Sequence, residues 1–591
     1  MPPEKLRRRF FEIKEGMAKF IFVSGGVISG VGKGIITASL GKILSEYGYK
    51  TTLIKADPYF NYDAGTLRPT EHGEVWVTDD GGEIDQDLGT YERFLNQDIS
   101  KKNSLTSGQV YKSIIDRERA GAYLGQTVQF IPHIPQEIID RVKYAAHGYD
   151  VAIIEIGGSV GDYENIPFLF AAKSLEREIG FDNVAHVLVS FLPIPKHIGE
   201  MKTRPTRRAI RLLRREGIFP DFIVCRAERE VDEKRKKKID IVVHISTENI
   251  VSAPNLETIY EVPLNLHGQK LGKKILKRLK LEARKEADFS QWWRLVDRIK
   301  KPQSKIKVAI CGKYLKSGDY DLSDSYLSVQ EALIHAGAQL DVGIDIEWIP
   351  AKDFESGSEK IKEIQNFDGV IVPGGFGKMG VEGKIKVIEF VRKNNIPYLG
   401  LCYGMQLACI EFARNMCGMD GANSTEVNET TPFPIVDFLP EQACAIQKDG
   451  YGGTMRLGGY PAMLNAGSKV LQLYQETERL EKEKNILARM VSEHDDRITQ
   501  PVLQAIKDGK YVVVERHRHR YEINPEFITQ LEKAGLFFSG SYVRKDGTTL
   551  MEFLELLDHK FFVATQAHPE FKSRLGNPSP LFYGFVRACL K

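Results

Sequence analysis

The chain has 591 residues, of which 42% are apolar and 27% charged, and a net charge of only +3. That length holds roughly two to four domains, and the charge balance gives no general reason to expect nucleic acid or a membrane as partner. No apolar run approaches the ~20 residues of a bilayer span, and seven cysteines without a Cys-x-x-Cys pair argue against a disulfide framework or zinc site, so a cytoplasmic enzyme is expected.

The N-terminal stretch Met1 to Gly16 is rich in Arg, Lys and Glu and has no apolar centre, so it does not read as a secretory signal. An apolar strand at Phe20 to Val23 then runs into Ser24-Gly-Gly-Val-Ile-Ser-Gly30-Val-Gly32-Lys33-Gly34, and a helical pattern follows from Ile35 to Tyr47. Strand, glycine-rich turn and helix start together make an anion site lined by backbone N–H groups, with Lys33 for phosphate oxygens. Five residues rather than four separate Gly26 from Gly32, and Gly34 stands where a metal-binding hydroxyl belongs, so this is a variant phosphate loop. Carboxylates must then hold the metal. The acidic loop Thr78 to Gly89, with Asp87, is one source, and the alternative for that loop is a solvated turn. The second source is Glu155, which interrupts the apolar strand Val151-Ala-Ile-Ile-Glu155. A buried carboxylate is costly unless it is paired or on a metal, and Mg²⁺ commonly takes one or two carboxylates plus nucleotide phosphates.

Strand patterns recur at Asp150–Ile156, Val184–Phe191, Asp221–Cys225 and Asn249–Ala253 with helical patterns between them, which predicts an α/β, doubly wound, mostly parallel sheet. Lys202 to Arg215 carries seven basic residues and no acid. Pro205 suits a helix start with Thr203 near the cap. Arg204, Arg207, Arg208, Arg211 and Arg215 then share one face. A triphosphate suits this second polyanion site, and a solvated or nucleic-acid-binding face is the alternative.

From Leu264 to Arg298 the pattern is helical and basic, and Lys300-Lys-Pro-Gln-Ser-Lys305 reads as a linker. A second α/β alternation begins at Ile306. Its landmarks are Asp368-Gly-Val-Ile-Val-Pro-Gly374-Gly375, a helix near Lys384–Asn394, and Pro397-Tyr-Leu-Gly-Leu-Cys402-Tyr-Gly-Met-Gln406. Cys402 ends an apolar run where a helical pattern starts, and the positive end of a helix dipole favours a thiolate. Gly400 and Gly404 flank it as a nucleophile elbow requires. Taken alone, the stretch reads more readily as a buried structural cysteine than as a nucleophile. Far downstream, a strand from Phe561 ends at His568-Pro-Glu570, which supplies a base and a carboxylate to orient it, and Gly374-Gly375 offers backbone N–H groups to an oxyanion. Residues 473–511 are polar and read as helices or a mobile insertion without chemistry.

At these residues the chain resembles the CTP synthase family over nearly its whole length. The second half is similar to class I glutamine amidotransferases. The first half resembles the synthetase part through the phosphate loop, Lys55-Ala-Asp-Pro-Tyr, His72-Gly-Glu-Val, Asp87-Leu-Gly-Thr-Tyr-Glu-Arg, Glu155-Ile-Gly-Gly-Ser-Val-Gly-Asp and Lys202-Thr-Arg-Pro-Thr. The resemblance implies a synthetase domain at 1–285, a linker at 286–304 and a glutaminase domain at 305–591, both domains doubly wound. It also implies ATP-dependent amination of UTP to CTP with ammonia from L-glutamine, through 4-phospho-UTP, with Mg²⁺ and no organic cofactor.

The same resemblance assigns residues. Gly30, Val31, Gly32, Lys33, Gly34, Ile35, Lys55, Asp87, Arg226, Pro254, Asn255 and Leu256 would meet ATP, with Asp87 and Glu155 on the metal. Ser29, Lys202, Thr203, Arg204, Pro205, Thr206, Arg207 and Lys238 would bind UTP or CTP, and Asp162, Tyr163 and Glu164 would line an inhibitory CTP site. Cys402, His568 and Glu570 would be catalytic, and Gly374, Gly375, Tyr403, Gly404, Met405, Gln406, Glu426 and Arg520 would hold glutamine. A homotetramer, GTP activation and filaments are further family properties; nucleic acid and membrane are not expected partners. Three positions depart from the family pattern. Arg207 stands for Gln; Met379 stands for an Arg in a loop tied to GTP, beside Lys378; and Tyr403 stands for Leu at a site expected to need only its backbone N–H. Another ATP-dependent amidoligase of the cobyrinate or dethiobiotin type, and an inert filament-forming scaffold, are the competing readings.

Overall fold

The computed structural model describes residues 18–68, 72–312, 316–317, 320–321, 326–355, 359–438 and 455–590. The N-terminal stretch to Gly16 lies outside them. Two compact units emerge, one of residues up to Ala64 plus Ile84–Val296, the other of Gly65–Glu83 plus Asp297–Lys591. These differ from the sequence boundaries in two places. The excursion 65–83 belongs to the second unit, and the units divide after Val296, inside the helix Ser290–Lys300 that the helical pattern to Arg298 anticipates, rather than near 304.

In the first unit the strands are β1 (Lys19–Gly26), β2 (Thr51–Asp57), β3 (Ser104–Thr106), β4 (Val151–Ile156), β5 (Val184–Phe191), β6 (Phe222–Ala227) and β7 (Ile250–Pro254). They form one seven-stranded sheet in the order β3-β2-β4-β1-β5-β6-β7, and every pair is parallel. The continuous apolar runs read from the sequence follow from burial on both faces. The sheet strands are buried almost throughout, and helices supply apolar residues such as Ile138, Val142, Phe168 and Ile210 to the same core. Helix α1 (Lys33–Glu46) follows the loop after the central β1, α2 (Asp87–Leu95) follows the acidic loop, and α3 (Arg204–Arg215) follows β5. The order of the strands reverses around β1, and such a switch point puts a ligand crevice at the carboxyl ends of the strands.

The second unit is built on β8 (Ser304–Gly312), β9 (Val342–Pro350), β10 (Gly369–Val372), β11 (Tyr398–Leu401), β12 (Arg456–Leu464), β13 (Val512–His519), β14 (Phe537–Val543), β15 (Thr549–Glu555) and β16 (Phe562–Thr565). Their order is β9-β8-β10-β11-β16-β15-β14-β12-β13. The first five run parallel, and from β16 onward each pair is antiparallel. That antiparallel half was not read from the sequence. Helices α4 (Leu327–Leu340), α5 (Val381–Lys393) and α6 (Tyr403–Met416) cover the parallel part.

The polar stretch 473–511 is helical, in α7 (Lys469–Glu476), α8 (Arg479–Ser492) and α9 (Gln500–Lys507). Leu487, Met490, Val502 and Ala505 share an apolar cluster with Val512, Val514, Tyr542 and Leu550. Glu483 of α8 also reaches inward to the buried Lys572 ammonium at 3.2 Å. The polar composition belongs to the outer faces of helices seated on the sheet. No helix among the described residues is long and apolar enough to cross a membrane.

Candidate functional site

The phosphate loop leaves β1 and reaches α1 through two left-handed glycines, Gly30 (φ 69°) and Gly32 (φ 89°). Ser29 and Gly30 are exposed, Val31 and Gly34 are buried, and Ile35 is half-buried on the first turn of α1. Lys33 is also largely buried, and its ammonium donates to the Gly158 carbonyl at 2.7 Å. Burial lowers its pKa, with Glu155 opposing that shift.

Gly34 explains the missing hydroxyl. A Cβ there would stand 2.7 Å from Asp87 Oδ1 and 3.6 Å from Glu155 Oε2, so the space a Ser or Thr side chain needs is taken by carboxylates. Lys55 lies among the same groups. It forms ion pairs with Asp87, with Glu155 at 3.0 Å and with Asp57 at 3.6 Å, while the Tyr91 hydroxyl donates to Glu155. Burial would lower the Lys55 pKa, but Asp57, Asp87 and Glu155 outweigh it and hold the ammonium charged. One ammonium does not balance so many acids. Burial and the neighbouring carboxylates push Asp57 up to about 8 in spite of Lys55, and burial and Asp87 push Asp85 up to about 6.

This donor set suits the metal that the resemblance implies. Among the described residues no three His, Cys, Asp or Glu are arranged to hold an ion by themselves. Asp87 and Glu155 nevertheless face one small space beside Gly34, and the buried Asp57 Oδ2 has no hydrogen-bond partner. Two hard oxygen donors and an excess of negative charge fit Mg²⁺ whose remaining ligands come from phosphates and water.

The acidic loop proves to be divided. Asp85 and Asp87 turn to the Lys55 cluster. Asp79 pairs with Arg516 at 2.6 Å and Glu83 with Arg518 at 2.9 Å, both on β13 of the second unit. Neither the metal reading nor the solvated-turn reading covers the whole loop.

Arg226 gathers the next predicted group. Its guanidinium donates to the carbonyls of Ala253 (2.9 Å) and Pro254 (2.8 Å) and to Asn255 Oδ1 (3.2 Å), and its Nε lies 3.5 Å from the point a Cβ on Gly32 would occupy. Leu256 follows at the surface, half-buried. On α3, Arg204, Arg208, Arg211 and Arg215 are exposed and Arg207 half-buried. Thr203 is at the N-cap without a side-chain capping bond, and Pro205 lies in the first turn. Thr206 is turned inward: it is fully buried and its hydroxyl accepts from Ser190 at 3.0 Å. Its side chain therefore anchors the helix to the sheet. Lys202 and Lys238 meet at Glu200, 2.8 and 3.8 Å away, where Arg235 also arrives at 3.4 Å; this acid escaped the sequence reading. Asp162 accepts from the Ser159 N–H at 2.8 Å, while Tyr163 and Glu164 stand in solvent.

In the second unit, sheet topology brings distant segments together. Parallel neighbours β11 and β16 pair Leu401 with Thr565, so Cys402 and His568 leave the same end of the sheet, and β10 on the other side of β11 delivers Gly374. Cys402 sits at φ 51°, ψ −100°, a strained conformation for a non-glycine residue. Its N–H is fixed to the Thr565 carbonyl at 2.7 Å. A Cβ at position 404 would lie 2.2 Å from the Val372 carbonyl, and one at position 400 would lie 2.8 Å from Ala564, so both flanks must be glycine. His568 lies in the electrostatic reach of Cys402, and its Nδ1 donates to Glu570 Oε1 at 2.7 Å. Burial pulls His568 down, but Glu570 and Cys402 together push it up to about 10, which makes it an imidazolium beside the sulfur. A Cβ on Gly374 would be 2.8 Å from His568 Cε1 and 3.7 Å from Cys402 Cβ, so the Gly374-Gly375 turn closes directly over the pair.

Glu426 reaches that turn by accepting from the Gly377 N–H at 2.6 Å. Tyr403 does more than lend its backbone. Its buried ring lies under Lys384, and its hydroxyl donates to the Gly377 carbonyl at 3.3 Å. Gln406 is buried and donates to Tyr521 O (2.8 Å) and Gln566 Oε1 (3.2 Å), so it supports the floor of the site. Gln566, 3.8 Å from Cys402 Sγ, was missed by the sequence reading; its only signal was its place two residues before His568. The Met405 side chain is fully buried, and Arg520 is half-buried at the end of β13. Met379, at the expected GTP-linked loop, is 66% exposed.

Similarity to known proteins follows the same division. A family model described as CTP synthase N-terminus matches residues 19–281, and one described as glutamine amidotransferase class-I matches residues 321–588. The CTP synthase of Methanocaldococcus jannaschii is 47% identical over 577 residues, 97% of this chain and 98% of its own. That of Pyrococcus furiosus is 48% identical over 572 residues, again 97% and 98%. A solved Trypanosoma brucei CTPS glutaminase domain with bound acivicin is 31% identical and covers 48% of this chain and 93% of its own, with a TM-score of 0.39.

Proposed function

The chain belongs to the CTP synthase family and is a glutamine-hydrolysing ligase, and from that premise we propose how its residues divide the amination of UTP. The rival amidoligase and scaffold readings fall with the family assignment, which rests on the synthetase half as much as on the glutaminase half.

In the synthetase half, the Gly30–Ile35 loop and Lys33 receive the ATP phosphates, with Arg226 and the Pro254–Leu256 stretch beside them. Asp87 and Glu155 would hold Mg²⁺, which neutralises charge on the phosphates when bound. Lys202, Lys238 and the exposed arginines at the start of α3 bind the UTP triphosphate. Uracil O4 is a poor leaving group. Transfer of the γ-phosphoryl to O4 activates C4, ammonia adds there, and phosphate departs to leave CTP and ADP. Asp162, Tyr163 and Glu164 are proposed to bind the inhibitory CTP. A homotetramer and GTP activation complete the reading, and the activation is weakened by Met379 and carried in part by Lys378.

In the glutaminase half, Cys402 sulfur attacks the glutamine carboxamide, and the backbone N–H groups of Gly375 and Tyr403 meet the oxyanion. The imidazolium of His568 delivers its proton to the leaving nitrogen, so ammonia departs and a thioester remains. His568 then takes a proton from water, which hydrolyses the thioester to glutamate. Glu570 keeps the imidazole oriented throughout. The observation that carries this assignment is the strained Cys402 elbow, which shares the Gly374 turn with a His568 that is itself 2.7 Å from Glu570.

Cys402→Ala tests it. CTP formation from glutamine should vanish, while formation from added ammonium salt persists. Loss of both in a folded variant rejects the division of labour.

A further inference from the structure

We propose that Trp76 and Asp79, drawn from the first half of the sequence, are positioning residues for His568 of the glutaminase. The proposal rests on the assignment of Cys402 and His568 made above.

Residues 65–83 belong to the second unit, and three contacts pin them there. Glu74 accepts from the Ser328 N–H at 2.9 Å, Asp79 pairs with Arg516 at 2.6 Å, and Glu83 pairs with Arg518 at 2.9 Å. The turn containing Asp79 is fitted closely onto β12. Gly459 N–H donates to the Asp79 carbonyl at 2.9 Å, and a Cβ on the left-handed Gly458 (φ 95°) would fall 2.7 Å from that same oxygen. Only glycine admits such an approach at that φ.

Two lines of contact then run from this turn to the base. Through the backbone, the fully buried Arg516 is held by Asp79, and its own carbonyl accepts the His568 N–H at 2.7 Å. Through the rings, Trp76 packs against Phe571 at a centroid distance of 5.0 Å. Phe571 in turn stacks on His568 at 5.1 Å with the planes 17° apart. The Arg516 guanidinium lies over Trp76 at 5.5 Å, which joins the two lines. The imidazole is thus fixed by Glu570 at one nitrogen, by Arg516 at its backbone and by Phe571 on its ring. The last two of these supports are in contact with the excursion, through the Asp79–Arg516 pair and the Trp76 ring. Neither Trp76 nor Asp79 touches the reacting atoms, so both act through the placement of His568.

The test measures glutamate release by Asp79→Asn and Trp76→Leu full-length enzymes, with Glu83→Gln as control. A misplaced base predicts that kcat falls about 10- to 100-fold with little change in KM. The pH profile of Cys402 alkylation by iodoacetamide, followed on its peptide by mass spectrometry, should shift in both variants, and Asp79→Glu should recover most of the rate. Glu83→Gln, on the same excursion but paired with Arg518, should keep its kcat and its alkylation profile. Should Asp79→Asn fail to fold, Trp76→Leu decides the matter on the same readouts. Wild-type kcat and alkylation profile in a folded variant overturn the proposal, as does an equal loss in Glu83→Gln, which would mean general packing alone. Cys402→Ala separates the two levels: if it still hydrolyses glutamine, the glutaminase assignment fails. If it is inert while Asp79→Asn and Trp76→Leu remain unimpaired, only the positioning role fails.

Discussion

The synthetase and glutaminase halves hold their reactive groups by opposite means. Around Lys55 the order comes from charge: Asp57, Asp87 and Glu155 are arranged about one ammonium, with a surplus of acid that bound cations and phosphates can rebalance. Around Cys402 the order comes from shape. A strained backbone and two glycines packed against Val372 and Ala564 fix the sulfur before any substrate arrives. A charged cluster can redistribute as ligands bind, because Coulomb forces act over several ångströms. An elbow cannot, because its contacts are already at van der Waals limits. Sensitivity to mutation should therefore follow charge in the first site and volume or orientation in the second.

The largest expected effect tests the charged side. Lys33→Ala should cut CTP formation from both glutamine and ammonium at least ~100-fold, since it removes the charge proposed to meet the ATP phosphates, which both routes share. Loss confined to the glutamine route, read by comparing the two nitrogen donors, would put Lys33 on the wrong side of the division. Next in size is Glu570→Gln. It keeps the shape but removes the carboxylate that orients His568, so glutamine-dependent kcat should fall by about 100-fold while the ammonium route is unchanged. A smaller loss, about 10-fold in kcat/KM for ATP, is expected of Gly34→Ala, because its Cβ would press on Asp87 Oδ1 at 2.7 Å. This variant probes the contrast itself, since it asks whether the charged cluster also depends on close packing. Steady-state kinetics with normal ATP saturation would show that the carboxylates simply move aside.

Much of this was legible in the sequence because the signals are local. The strand–turn–helix around Lys33, the elbow at Cys402 and the His568-Pro-Glu570 turn each fit within about a dozen residues, and the alternation of strands and helices placed them at strand ends. What escaped depends on pairings between distant segments. Nothing near Thr206 says that its hydroxyl turns to Ser190, and nothing near Asp79 says that its partner is an arginine 437 positions later. The Tyr403 ring was invisible for the same reason, because Lys384 and Gly377 come from another helix and loop. At 473–511 composition left helices and a mobile insertion both open, and the helices are what form; charged outer faces concealed the apolar stripe of Leu487 and Met490 that seats them. The acidic loop was read as one object, whereas its two ends answer to different units.

The smallest effect is one of stability, and its sign follows from His568. Burial opposes the charged imidazole, yet Glu570 and Cys402 raise its pKa to about 10, above the ~6.5 of an unfolded histidine. A value raised on folding means that the ion pair contributes fully below pH ~6.5 and is lost as pH rises through about 10. In Glu570→Gln the foremost of the raising influences is gone. The melting temperature of the wild type should therefore exceed that of Glu570→Gln by a few degrees, about 3 °C, at pH 6, and the gap should narrow steadily toward pH 10. Calorimetry of both proteins across that range measures it directly. A gap that stays constant from pH 6 to 10 would show that Glu570 supports the fold through packing and hydrogen bonding alone. The contrast drawn above would then sharpen further, with the glutaminase site held by shape even where its charges meet.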